Sequence, residues 1–242
     1  MGDAVTRRPT GKRAGFGQAV EAFVLLLVPV ALMAFAFFEV PATAALIMLV
    51  TIGCLGFFFA GYDSSRPTMR QVMPTVVLAS IAAAGRVMFA AIPDVKPVSA
   101  IVIVAGASLG RRQGFMTGAL AALASNLYFG QGAWTPLQMY AWGLIGYLSG
   151  VFADAGALSR PWAVYAWGMV SGLLYGAILN SWHVLGFVRP LTWQTALAAY
   201  GAGLPLDVVH GLSTVAFLAL IWAPWQKAID RVVSKYALGD EG

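Results

Sequence analysis

The chain has 242 residues, 60% of them hydrophobic and only 10% charged, with a net charge of +5. Such a composition excludes a soluble globular domain and a disordered chain, and fits a polytopic helical membrane protein. A transmembrane β-barrel is excluded as well, because no segments of roughly ten residues with alternating hydrophobicity appear.

Backbone polar groups in lipid must be paired within their own segment, so apolar runs of this length are predicted to be helices. In chain order the spans are predicted at roughly 22–38, 43–61, 73–92, 97–110, 113–129, 136–153, 161–182 and 204–223. A basic tail, 1–20, precedes the first. Ala42-Thr43-Ala44 resembles a signal-cleavage site, but the first run is long and a second follows at once, so the span is expected to be retained. The first two spans form an accessory hairpin over 21–62. Phe35, Phe37, Phe38, Phe57, Phe58 and Phe59 face lipid or a neighbour there, and the polar content is Glu21 and Glu39, both at helix ends. Cys54 lies inside span two and reads as a small buried hydrophobe. A hydrophilic linker, 63–72, separates this hairpin from a six-helix core over 73–224, and a tail over 225–242 ends the chain. The fold class expected is therefore all-α, a membrane helix bundle of six plus two.

The run at 97–110 is short for a full crossing and is expected to be tilted, broken or partly re-entrant. Small residues recur in the core, at Ala79 and Ala83, at Gly114, Gly118 and Ala122, and at Gly143, Gly146 and Gly150. They permit close helix approach inside the bundle. Ala79 and Ala83, with Ala82 and Ala84 beside them, also suit a smooth face on which another membrane subunit docks. Two long connections follow on the opposite side. Tyr128–Pro136 contains Gly130 and Gly132, and Trp182–Gly203 is long enough to fold over an opening as a lid.

Charge gives the orientation. Arg7, Arg8, Lys12, Arg13, Arg66, Arg70, Arg111, Arg112, Arg160, Lys227, Arg231 and Lys235 all fall on one side, and only Arg86, Lys96 and Arg189 do not. This bias predicts both termini in the cytoplasm. The positive charge is thus topological and attracted to anionic headgroups, with no nucleic acid implied.

The opposite ends of the spans carry Arg86, Asp94, Lys96, Asn126, Tyr128, Gln131, Gln138, Asn180, His183, Asp207 and His210. A polar ring at one membrane face reads as a binding chamber open to that side. Ionisable residues at membrane depth are functional by default but must also be paired. Arg86 can snorkel, yet a pair with Asp207 would solve two burial problems together. Asp207 and His210 stand at i, i+3 on one helix face; they admit a proton relay, half of a metal site, ligand contacts or a mutually satisfied structural pair. Trp134, Trp182 and Trp193 are either an interfacial belt or flat apolar walls for a ring-bearing ligand. No Walker A motif, HExxH, cysteine cluster or Gly-x-Ser-x-Gly occurs, so neither ATP hydrolysis nor other catalysis by this chain is expected. An intramembrane enzyme using Asp207 and His210, or a secondary carrier coupled through Arg86 and Asp207, are the competing readings.

The runs Ala84–Val98 and Gly130–Gly143, together with Gly110-Arg-Arg-Gln-Gly-Phe115 and Pro205-Leu-Asp-Val-Val-His210, resemble the substrate-binding S components of energy-coupling factor transporters. The resemblance covers about residues 70–235. It implies a six-helix protein that binds a vitamin at the outer face and lacks ATPase activity. It also implies docking on a membrane coupling protein with two cytoplasmic ATPases, so ATP is used by partners and no cofactor is held here. Docking in that family uses an Ala-x3-Ala pattern on the first core helix, which here implies Ala79 and Ala83. The substrate-binding set expected from the polar ring at that face is Arg86, Lys96, Asn126, Gln131, Trp134, Gln138, Asn180, His183, Asp207 and His210. The branch is most similar to S components linked to cobalamin; riboflavin, a queuosine precursor or another ring-bearing nutrient also fits.

Overall fold

A computed structural model describes residues 12–38, 43–65 and 67–235. The expectations placed on Arg7, Arg8, Glu39, Ala42 and Arg66 lie outside the described residues. Within them the chain is all-helical: α1 (Lys12–Phe37), α2 (Thr43–Ser64), α3 (Met69–Met88), α4 (Val98–Leu109), α5 (Arg111–Phe129), α6 (Thr135–Asp154), α7 (Pro161–Phe187) and α8 (Trp193–Lys235). A single 3-10 turn, Ala157–Ser159, joins α6 to α7.

The α2–α3, α4–α5 and α6–α7 connections lie at one end of the bundle, here the basic end. The α3–α4, α5–α6 and α7–α8 connections lie at the far end. Five helices are long and apolar enough to cross a membrane: α1, α2, α3, α7 and α8. The other three are shorter or less apolar for a physical reason. They form the centre of the bundle and need not satisfy lipid. Ser99 and Val102 in α4, Gly118 and Ala122 in α5, and Tyr140 and Trp142 in α6 are all buried. The short apolar run foreseen at 97–110 is α4, a helix of 12 residues walled by protein.

Glycines set how closely these three central helices approach. A Cβ on Gly106 or Gly114 would strike the backbone of Gly146, and one on Gly114 would also lie 2.6 Å from the Cα of Gly106. A Cβ on Gly118 would meet the backbone of Trp142, and one on Gly150 would lie 2.7 Å from the Cα of Arg111. The small residues of α5 and α6 thus let backbones touch, as close packing in membranes requires.

Three expectations are corrected. The segment 182–203 is no lid: α7 runs on to Phe187 and α8 starts at Trp193. The alanine-rich run after Trp193 favours helix, and Thr192 and Thr195 cap it reciprocally through bonds of 3.0 and 3.2 Å. The tail expected from residue 225 continues α8 to Lys235, which makes that helix about 64 Å long. Finally, Ala79 and Ala83 are buried, 4% and 8% exposed, with Ala82 beside them. Their face packs onto the central helices. The open face of α3 carries Met73, Val76, Val77 and Ile81 instead. Sequence spacing located the smooth stripe but not its direction. Ala79→Trp is accordingly expected to overpack the bundle and lower the unfolding temperature in detergent, at a cost of about 1–3 kcal/mol. Ile81→Trp on the open face leaves it unchanged. Circular dichroism melts of both variants check this.

The N-terminal hairpin is fastened to the rest by polar contacts that its apolar sequence did not announce. Glu21 is 4% exposed. One carboxylate oxygen accepts from Arg112 Nε at 2.5 Å and the other from the Tyr147 hydroxyl at 3.1 Å. One helical turn on, the Tyr140 hydroxyl donates to the Leu25 carbonyl at 2.8 Å. Phe58 of α2 stacks on Phe115 of α5, with centroids 4.0 Å apart.

Candidate functional site

At the far end, polar side chains from six helices and one connection meet in two linked strands. The first starts at Arg86 in the last turn of α3. Its Nη1 donates to Ser125 Oγ at 2.7 Å and to Asn126 Oδ1 at 2.6 Å, both on α5. Because the guanidinium has no acceptor, it fixes the direction of everything downstream. Asn126 must turn its oxygen to Arg86, so its Nδ2 donates to Gln138 Oε1 at 2.7 Å and to Thr135 Oγ1 at 3.2 Å. Gln138 must then donate through Nε2, and it does so to the Tyr175 hydroxyl on α7 at 2.6 Å. Asn126 is fully buried and Gln138 nearly so.

The second strand joins α4, α6 and α8. Trp142 Nε1, which can only donate, gives its proton to Ser99 Oγ at 3.1 Å. Ser99 Oγ also shares a hydrogen bond of 2.8 Å with His210 Nε2, and the other imidazole nitrogen is Nδ1. That nitrogen faces Asp94 Oδ1 at 3.9 Å. Asp94 also holds the Lys96 ammonium at 2.6 Å. Asp94 has φ of 55°, a left-handed conformation for a residue with a side chain, in the α3–α4 connection. Ser213 of α8 pins that connection, accepting the Lys96 N–H at 3.1 Å. Gly85 admits it from below, since a Cβ there would lie 2.5 Å from Pro97 Cγ.

Aromatic faces join the two strands. Tyr175 stacks on Trp142, with centroids 4.7 Å apart, and lies 4.8 Å from the His210 ring. The Arg86 guanidinium sits 4.4 Å from the Phe129 centroid and 5.1 Å from that of Trp142. Lys96 Nζ is 5.6 Å from the Tyr175 centroid.

The structure therefore gathers Arg86, Lys96, Asn126, Gln138 and His210 from the expected set. It leaves others apart. Asn180 donates to Asp207 Oδ2 at 3.0 Å, and Asp207 lies over Gly176, where a Cβ would collide with it. The expected Arg86–Asp207 pair is not formed. Nor do Asp207 and His210 bond to each other, although they share a helix face; their partners lie on α7 and α4. Gln131 is exposed and donates to the Leu123 carbonyl at 3.0 Å. Trp134 is 44% exposed and covers Gly132. His183 is exposed and stacks against Phe187. The side chains of these three form no hydrogen bond with either strand.

Tyr175, Ser99, Trp142, Ser125 and Thr135 belong to the network but not to the expected binding set, and Asp94 was placed only in the outer ring. One signal was available: Gln138 and Trp142 are i, i+4 and share a face of α6. Tyr175 and Ser99 carried none, because each lies within an apolar run.

The concavities at the basic end are separate from this network. One of about 820 Å³ is bounded by Phe59, Tyr62, Asp63, Pro67, Val72 and Met116, between α2, α3 and α5. Another of about 590 Å³ lies along Trp222, Lys227, Asp230 and Arg231. Neither shares a lining residue with the network.

Comparison with protein-family models, with curated proteins and with solved structures gives no match for the chain.

Proposed function

We propose that the chain is the membrane-embedded, substrate-binding subunit of an energy-coupling-factor-type vitamin uptake transporter. It captures a ring-bearing nutrient, with cobalamin or a related compound the first candidate, and docks on a coupling protein served by two ATPases. The observation that carries this reading is the convergence of two hydrogen-bonded strands and three aromatic faces at the end of the bundle opposite the basic residues. The positive-inside bias supports the reading that this end faces outward from a bacterial cytoplasmic membrane, with both termini inside. A solute-binding subunit needs a site of this kind and no motif for hydrolysing ATP. The separation of Asp207 from Arg86 and from His210 weighs against the carrier and the enzyme built on those pairs.

Mass spectrometry of small molecules released from the detergent-purified chain tests the first half. A single vitamin-class compound at near-stoichiometric yield is expected. Coexpression with a coupling protein and its two ATPases tests the second: the four are expected to copurify and to support ATP-dependent uptake of that compound in vesicles. Uptake by the chain without ATPases would overturn the assignment in favour of a carrier.

A further inference from the structure

Several cations among the described residues are paired with carboxylates. Lys96 holds Asp94, Arg111 holds Asp154 and Arg112 holds Glu21. Arg86 is different. It is half-buried, and none of the carboxylates among the described residues forms an ion pair with it. Its protein partners are neutral oxygens, those of Ser125 and Asn126, and both bonds use Nη1. The hydrogens of Nη2 and Nε have no protein acceptor among the described residues. That edge of a guanidinium is suited to bind a carboxylate or phosphate side-on through two parallel hydrogen bonds. A half-buried cation without a counter-ion is costly at membrane depth and marks a functional position. Phe129 and Trp142 flank the same group.

Resting on the reading of this network as the ligand site, we infer that Arg86 is the anion subsite. The ligand carries a carboxylate or phosphate oxygen pair that docks on the Nη2–Nε edge, and a planar ring that lies against Phe129, which is 40% exposed. The nearby acidic groups are already engaged: Asp94 by Lys96, and Asp207 by Asn180. Bringing an anion to Arg86 therefore displaces no existing ion pair.

The test uses the full chain in detergent with 2-naphthoate as probe and 2-naphthamide, its uncharged counterpart, at matched ionic strength. Naphthoate is expected to raise the unfolding temperature saturably. Naphthamide is expected to need at least about tenfold more for half the effect, since only the anion gains the charge-assisted pair. Arg86→Gln should bring naphthoate down to the naphthamide level, with Arg86→Lys intermediate because it keeps the charge and loses the fork. Equal half-saturation by the two probes in the wild-type chain overturns the inference, as does no saturable effect of naphthoate. The wild-type comparison decides the matter even where a variant does not fold. A chain that binds naphthoate through Arg86 but never associates with ATPases sinks the transport reading and leaves this one standing. Copurification and ATP-driven uptake of an uncharged vitamin does the reverse.

Discussion

Gly146→Leu is expected to abolish the folded bundle, not merely weaken it. At this position α4, α5 and α6 meet through backbone atoms. A Cβ on Gly146 would land on the carbonyl of Gly114, and the reciprocal Cβ on Gly114 would lie 2.5 Å from the carbonyl oxygen of Gly146. Ordinary overpacking costs about 1–3 kcal/mol because flexible side chains give way. Here the first obstacle is the main chain of α5, with the Val102 side chain of α4 at 2.9 Å beside it, so those helices must separate. Separation also pulls Trp142 away from Ser99 and Gln138 away from Asn126. The expected readout is loss of the monodisperse peak in size-exclusion chromatography in mild detergent. Gly56→Ala is the control: nothing lies within 4 Å of its Cβ, and Ala is the better helix former. A monodisperse, thermally unchanged Gly146→Leu protein would refute the packing described.

The second large effect concerns the hairpin. Arg112→Ala removes the cationic partner of a carboxylate that is 4% exposed. Stranding a buried charge costs about 3–5 kcal/mol when the pair is fully enclosed. Since the Arg112 side chain is 47% exposed, water reaches the pair and about 2 kcal/mol is the better expectation. Glu21→Gln, which keeps the shape and the bond from Tyr147 without the charge, should cost less. The double variant Glu21→Gln/Arg112→Ala should recover part of the loss, because no carboxylate remains to be stranded. Chemical denaturation of the four proteins measures this as a double-mutant cycle. A double variant as unstable as the sum of the singles would show that the two residues do not interact.

Much of the architecture was legible in the sequence. The eight apolar runs became eight helices, with boundaries that moved most where polar or alanine-rich residues continue a helix, as at 12–21, 193–203 and 224–235. The height of each polar residue along the bundle was legible too, which is why Arg86, Asn126, Gln138 and His210 were placed in one layer correctly. What a single sequence does not give is the rotation of each helix about its axis or the order of its neighbours. Arg86 and Asp207 share a layer but belong to different partners. Ala79 and Ala83 share a face that turns inward. Tyr175 stayed hidden for another reason: a Tyr within an apolar run reads as hydrophobic, and its hydroxyl matters only once Gln138 is seen to donate to it. Glu21 was read as a helix-end residue because the Arg and Tyr that claim it lie 91 and 126 positions away.

The glycine junction also divides the molecule mechanically. Three helices whose backbones touch cannot slide past one another, so α4, α5 and α6 form a rigid stator. The polar network ties it to α3, α7 and α8: Arg86 to Ser125 and Asn126 of α5, Tyr175 to Gln138 of α6, and His210 to Ser99 of α4. Each of these ties closes on the fixed part, so α3, α7 or α8 can swing only by releasing its own.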